Sequence, residues 1–86
     1  MSKLQQILDN FPDEEFTILD GLDNAVIGVD TNHDPMRLVY SANDIVDCFM
    51  EEGMTDEEAI DNYEYNTARS LPYIPNAPII IHTDFF

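Results

Sequence analysis

The chain has 86 residues, with 18 acidic side chains against three basic ones and a formal net charge of −15. This length suits one domain spanning residues 1–86, and an apolar content of 44% can supply one modest core. A chain this acidic is repelled by DNA, RNA and anionic membranes, so its natural partners are basic; its lone cysteine, Cys48, excludes an intramolecular disulfide and fits a reducing cytoplasm.

The N-terminal MSKLQQILDNF has no long apolar stretch, so neither a signal peptide nor a membrane span is expected there. Ser2 can cap a short helix in which Leu4, Ile7, Leu8 and Phe11 recur at helical spacing, and Asn10 and Pro12 close it. Residues Asp13 to Leu19 read as either a short strand or an extended linker, and Asp20 to Asn24 (DGLDN) as a turn. Two strands are expected next, Ala25 to Val29 and Met36 to Tyr40, joined as a hairpin by the polar loop DTNHDP. Gly28 inside the first strand points to a bulge or a close backbone approach.

Ser41 opens a helix running to about Glu52, and Gly53 is placed to end it in the left-handed conformation. Thr55 starts another with a capping box to Glu58, and this helix is expected to reach about Ser70, with Pro72 just beyond. Pro72, Pro75 and Pro78 mark an extended connector, and Pro78 to His82 (PIIIH) is a last strand, apolar enough to lie between neighbours. The expected fold class is α+β: a small antiparallel sheet, made of the hairpin and the C-terminal strand, with two or three helices packed on one face. Its core, in a monomer or simple dimer, should contain Leu4, Ile7, Leu8, Val26, Ile27, Val29, Leu38, Ile45, Phe49, Ile60, Tyr63, Ile79 and Ile81.

The stretch GMTDEEAIDNYEYN, Gly53 to Asn66, resembles a family of short proteins of bacteriophages and their bacterial hosts that has no assigned activity. Its members look like a strand pair ending in an RLVY-like strand, two helices joined at GM[ST]xEEA, an [FY]xYN continuation, and a closing P-I-aliphatic strand. The matching pieces here are Ala25 to Val29, Arg37 to Tyr40, Gly53 to Ala59, Tyr63 to Asn66, and Pro78 to Ile81. Where members often carry a glycine-containing turn, this chain has Arg69-Ser70-Leu71-Pro72. The resemblance implies a setting, a virus acting in the cytoplasm of its bacterial host, and no mechanism.

Candidate sites for chemistry fail one after another. DTNHDP puts Asp30, Asn32 and Asp34 at the first, third and fifth positions of a calcium loop. Pro35 then stands where glycine is needed and Ser41 where a bidentate glutamate is needed, so an Asx-rich turn is expected instead. His33 and His82 are far apart in sequence, with no zinc-type ligand spacing, and surface or capping roles are expected for both. Ser2, Ser41 and Ser70 are accounted for as helix-end residues, and no nucleophile motif or phosphate-cradling loop occurs. Cys48, among Ile45, Val46, Phe49 and Met50, reads as a buried small hydrophobe. The expectation is a binding protein with no cofactor, no metal and no catalytic residue.

The acids are what remain. Glu57, Asp61 and Glu64 fall at i, i+4 and i+7, a row about 10 Å long on an α-helix, and Asp44, Asp47 and Glu51 make a similar row on the preceding helix. Like charges at this spacing are unfavourable within the chain, and ordinary soluble faces mix both signs. Tyr65, offset among these acids, suits an interface. The expected partner is therefore a basic host protein that binds nucleic acid, with Asp44, Asp47, Glu51, Glu57, Asp61, Glu64 and Tyr65 contacting it. Carboxylates would stand in for phosphates, as in an anti-CRISPR or anti-restriction inhibitor. The alternative is a phage accessory protein that associates with itself, or with a virion or replication protein, through apolar surface.

Overall fold

The structure, a computed structural model, describes residues 2–84. Helix α1 covers Lys3–Asn10, strand β1 Val26–Asp30, strand β2 Arg37–Ser41, helix α2 Ala42–Glu51, helix α3 Asp56–Asn62 and strand β3 Ile79–Ile81. Short 3-10 turns lie at Asp23–Ala25 and Leu71–Tyr73, and α3 continues directly into a π-helical segment, Tyr63–Ala68. The fold class is α+β.

Helix starts follow the capping chemistry. Ser2 Oγ accepts from the Gln5 N–H at 3.1 Å and Ser41 Oγ from the Asp44 N–H at 3.2 Å. At α3 the reciprocal box is complete: the Glu58 N–H donates to Thr55 Oγ1, and the Thr55 N–H donates to Glu58 Oε1. Helix α2 ends at Gly53, whose φ of +108° only glycine adopts without strain. That turn lets the Gly53 and Met54 N–H groups bond back to the Met50 and Phe49 carbonyls.

Residues 11–22 form no strand, which leaves the linker reading of Asp13 to Leu19. The linker is held down by its ends: Thr17 Oγ1 donates to the Pro75 carbonyl, and the Leu19 N–H donates to Tyr40 Oη at 2.9 Å.

The sheet order is β1-β2-β3, with β1 antiparallel and β3 parallel to β2. The antiparallel sheet expected from sequence is thus corrected to a mixed one. The α2–α3 crossover with its connector, from Ala42 to Pro78, is long enough for parallel re-entry, and strand composition does not record that choice. β3 is also an edge strand, not one lying between neighbours, which leaves Ile81 41% exposed and Ile79 half-buried.

In the β1–β2 ladder Val26 pairs with Tyr40 and Val29 with Leu38, and a bulge falls between Val26 and Gly28, as the glycine suggested. Ile27 is the extra residue. It leaves the pleat and is exposed, a second correction to the expected core.

One sheet face carries Val26, Leu38 and Tyr40, all buried against Leu4 and Ile7 of α1, Ile45 and Val46 of α2, and Ala59 and Tyr63. Leu8, Val29, Phe49 and Ile60 pack at its margin, half-buried. Tyr40, Ala42, Val46, Leu22 and Ala25 join this core although sequence periodicity had not selected them. Among the described residues no helix is long and apolar enough to cross a membrane.

Candidate functional site

The hairpin loop is the Asx turn expected from its composition. Asp30 Oδ1 accepts the Asn32 N–H at 2.8 Å, and Asp30 Oδ2 lies 2.8 Å from His33 Nδ1. The Asn32 N–H, followed by His33 and the cross-strand Arg37, holds the Asp30 carboxyl below its usual pKa. Among the described residues no cluster of three His, Cys, Asp or Glu side chains could hold a metal ion. His82 is exposed at the end of β3, its ring edge-on to Tyr63 with centroids 6.1 Å apart.

Helix α2 turns Ala42, Ile45 and Val46 into the core, which leaves Asp44, Asp47 and Glu51 on the side away from it. These three carboxylates, with Cys48 and Asn24, line one hollow of about 220 Å³. Asp47 and Glu51 are exposed and Asp44 is half-buried. Cys48 is half-buried rather than fully inside, at the rim between core and acids. Burial pushes its thiol pKa up, and Glu51, Asp44, Asp47 and Glu52 push it further, because a thiolate there would face four carboxylates. All three carboxylates of the first row thus border one hollow and act on the same thiol.

The second row is less regular. Glu57 and Asp61 are exposed on α3, but Glu64 and Tyr65 lie in the π-helical segment. A π-helix closes its hydrogen bonds between residues five apart, so Glu64 is not positioned by the α-helical spacing that placed it in line. Tyr65 is 60% exposed. Its ring is not bare, however: the Arg69 guanidinium carbon stands 4.6 Å from the centroid, a cation–π contact. The i, i+4 spacing of Tyr65 and Arg69 was the signal for it. Among the described residues no base lies within ion-pairing distance of Asp44, Asp47, Glu51, Glu57, Asp61 or Glu64.

Sequence reading missed a second concavity. A pocket of about 330 Å³ lies where residues 19–22 meet Phe49 of α2 and the Asn62 to Ser70 stretch. No single segment carries its signature, since three separated stretches of chain build it. Its helical wall depends on the π segment, which residue propensities do not announce.

Comparison with known proteins finds no matching family model, no matching curated protein and no matching solved structure.

Proposed function

We propose that the chain is a small, non-enzymatic phage protein that acts in the host cytoplasm. It binds a basic, nucleic-acid-binding surface of a host protein and inhibits it, as an anti-CRISPR or anti-restriction factor does. The observation carrying this reading is that six carboxylates on consecutive helical segments have no base within ion-pairing distance among the described residues, in a chain of net charge −15. Such a surface costs the fold some self-repulsion and gains attraction only when a basic partner arrives. The phage setting rests on the resemblance of the Gly53 to Asn66 stretch. Nucleic acid itself and anionic membranes are repelled and are not the partners.

The test is capture from bacterial lysate on the tagged protein, eluted with rising salt. A nucleic-acid-binding protein should be retained at low salt and released steeply as salt rises. Retention that is indifferent to salt, or tightened by it, supports the accessory reading instead. One feature favours that alternative. Val39 and Ile79 are paired neighbours that stand half-buried, and Ile81, two residues along β3, is exposed. This apolar strip could associate with a second copy.

A further inference from the structure

The 330 Å³ pocket between the linker and the π segment has the chemistry of a cation seat. Volume comes first: it is at the small end of ligand pockets, enough for one side chain rather than a cofactor. Leu19, Leu22 and Phe49 give it an apolar floor. Its helical wall is polar, and the π geometry explains why. Asn62 and Thr67 are five residues apart, one π-type turn, so both reach the wall together with Asn66. In a continuous α-helix Thr67 would be rotated about 140° away from Asn62. π segments of this kind recur at functional sites.

The hydrogen bonds inside the wall decide what it can accept. Asn66 Nδ2 donates to Asn62 Oδ1, and Ser70 Oγ donates to the Thr67 carbonyl at 2.9 Å. The Ser70 O–H and one of the two Asn66 N–H groups are thus spent within the wall; Asn66 Oδ1 and the Ser70 oxygen lone pairs are left as acceptors, beside the remaining N–H groups of Asn62 and Asn66 and the Thr67 hydroxyl. Asp20 adds a carboxylate at the exposed lip, and no base among the described residues lies within ion-pairing distance of it. A wall that keeps amide and hydroxyl acceptors, one carboxylate at the lip and an apolar floor together suit a donor-rich cation on an aliphatic stem. Guanidinium has five donors and no acceptor, and its three-carbon stem packs on apolar surface.

We infer that this pocket seats one arginine side chain of the basic partner, its stem on Leu19, Leu22 and Phe49 and its guanidinium against Asp20, Asn66 and Ser70. The inference rests on the binding reading above and gives it a point of specificity, since a row of exposed carboxylates attracts bases without choosing among them.

The experiment is an amide-resolved NMR titration of the isotope-labelled chain with the peptide acetyl-Gly-Arg-Gly-amide at physiological salt. Citrulline and lysine versions of the peptide serve as comparisons. The arginine peptide should shift the Asn62 and Asn66 side-chain amides and the backbone of residues 19–22 saturably. The neutral citrulline peptide should bind about tenfold more weakly, and Asp20→Asn should weaken the arginine peptide by a similar factor, as loss of a charge-assisted hydrogen bond does. Asn66→Ala and Ser70→Ala should each weaken it as well, with unchanged melting temperatures confirming the fold. Shifts spread along α2 and α3 without the Asn66 amide would overturn the pocket, as would citrulline binding equally well. Lysine binding as tightly as arginine would overturn the guanidinium assignment. Because the titration needs no target protein, the pocket can fail while salt-sensitive capture survives, and capture can fail while the arginine peptide still maps to the pocket.

Discussion

Tyr40 has no exposed surface, yet its hydroxyl is placed to accept the Leu19 N–H at 2.9 Å. Burial, with Asp23 and Asp20 nearby, raises its phenol pKa, while the Leu19 hydrogen bond pulls the other way. This single side chain ties the linker to the central strand. Tyr40→Phe keeps the packing and orphans a part-buried N–H, so a loss of about 1–3 kcal/mol is expected in urea unfolding. Leu38→Ala, which empties a nearly fully buried site on the same strand, should cost about 2–5 kcal/mol. Cys48 reports on the acids around it. Its raised pKa means less thiolate at pH 8 and slower alkylation than a free cysteine shows. Replacing Asp44, Asp47 and Glu51 by their amides should speed alkylation and move its pH midpoint downward. An unchanged rate would mean that burial alone governs the thiol.

At the scale of elements, the α2–α3 junction combines two strong local signals. Gly53→Ala forces a side chain into φ +108° and should cost about 1–2 kcal/mol. Thr55→Ala removes the cap of α3 and should cost about 1 kcal/mol. Glu58 completes that box, and the Thr55 N–H holds its pKa below the usual value. A group depressed in the fold contributes stability that is present above its unfolded pKa and lost as pH falls through the folded one. The capping contribution should therefore disappear only in acid, and Glu58→Gln should flatten the acid limb of the stability profile. The junction was legible in the residues because a cap is a local event, settled within four positions. The π segment was not: Tyr63 to Ala68 look like ordinary helix formers, and burial of Tyr63 and Ala59 against the sheet accompanies the widened turn.

For the molecule as a whole, charge is the dominant fact. Eighteen acids on a chain of 86 residues repel one another, and salt screens that repulsion. Raising sodium chloride from low concentration to several hundred millimolar should raise the melting temperature, by about 4–8 °C for each 1 kcal/mol recovered. A flat response would show that repulsion is not limiting. If the acidic rows meet a basic groove, reversing two or three charges among Asp44, Asp47, Glu51, Glu57, Asp61 and Glu64 should abolish target binding and leave stability equal or higher. The same number of reversals at Asp13, Glu14 and Asp20 tests whether total charge or placement matters. Charge at Asp13 and Glu14 should count for little, whereas Asp20, if its pocket holds arginine, should account for most of that set's effect.

The sequence by itself determined what depends on neighbours along the chain. Ser2, Ser41 and Thr55 begin helices, Gly53 ends one, Gly28 sits at a bulge, and the Asp30 loop closes on its own backbone. Net charge belongs in the same group, since it needs no fold to be counted. Tertiary structure decided what depends on residues far apart in the chain. It set β3 parallel at an edge, turned Ile27 and Ile81 outward, and drew Tyr40 fully inside. It also joined the linker, Phe49 and the π segment around one pocket. The reason is physical: hydrogen bonds within a turn are settled by a few adjacent residues, whereas strand direction, edge position and concavity are settled by which distant surfaces exclude water together.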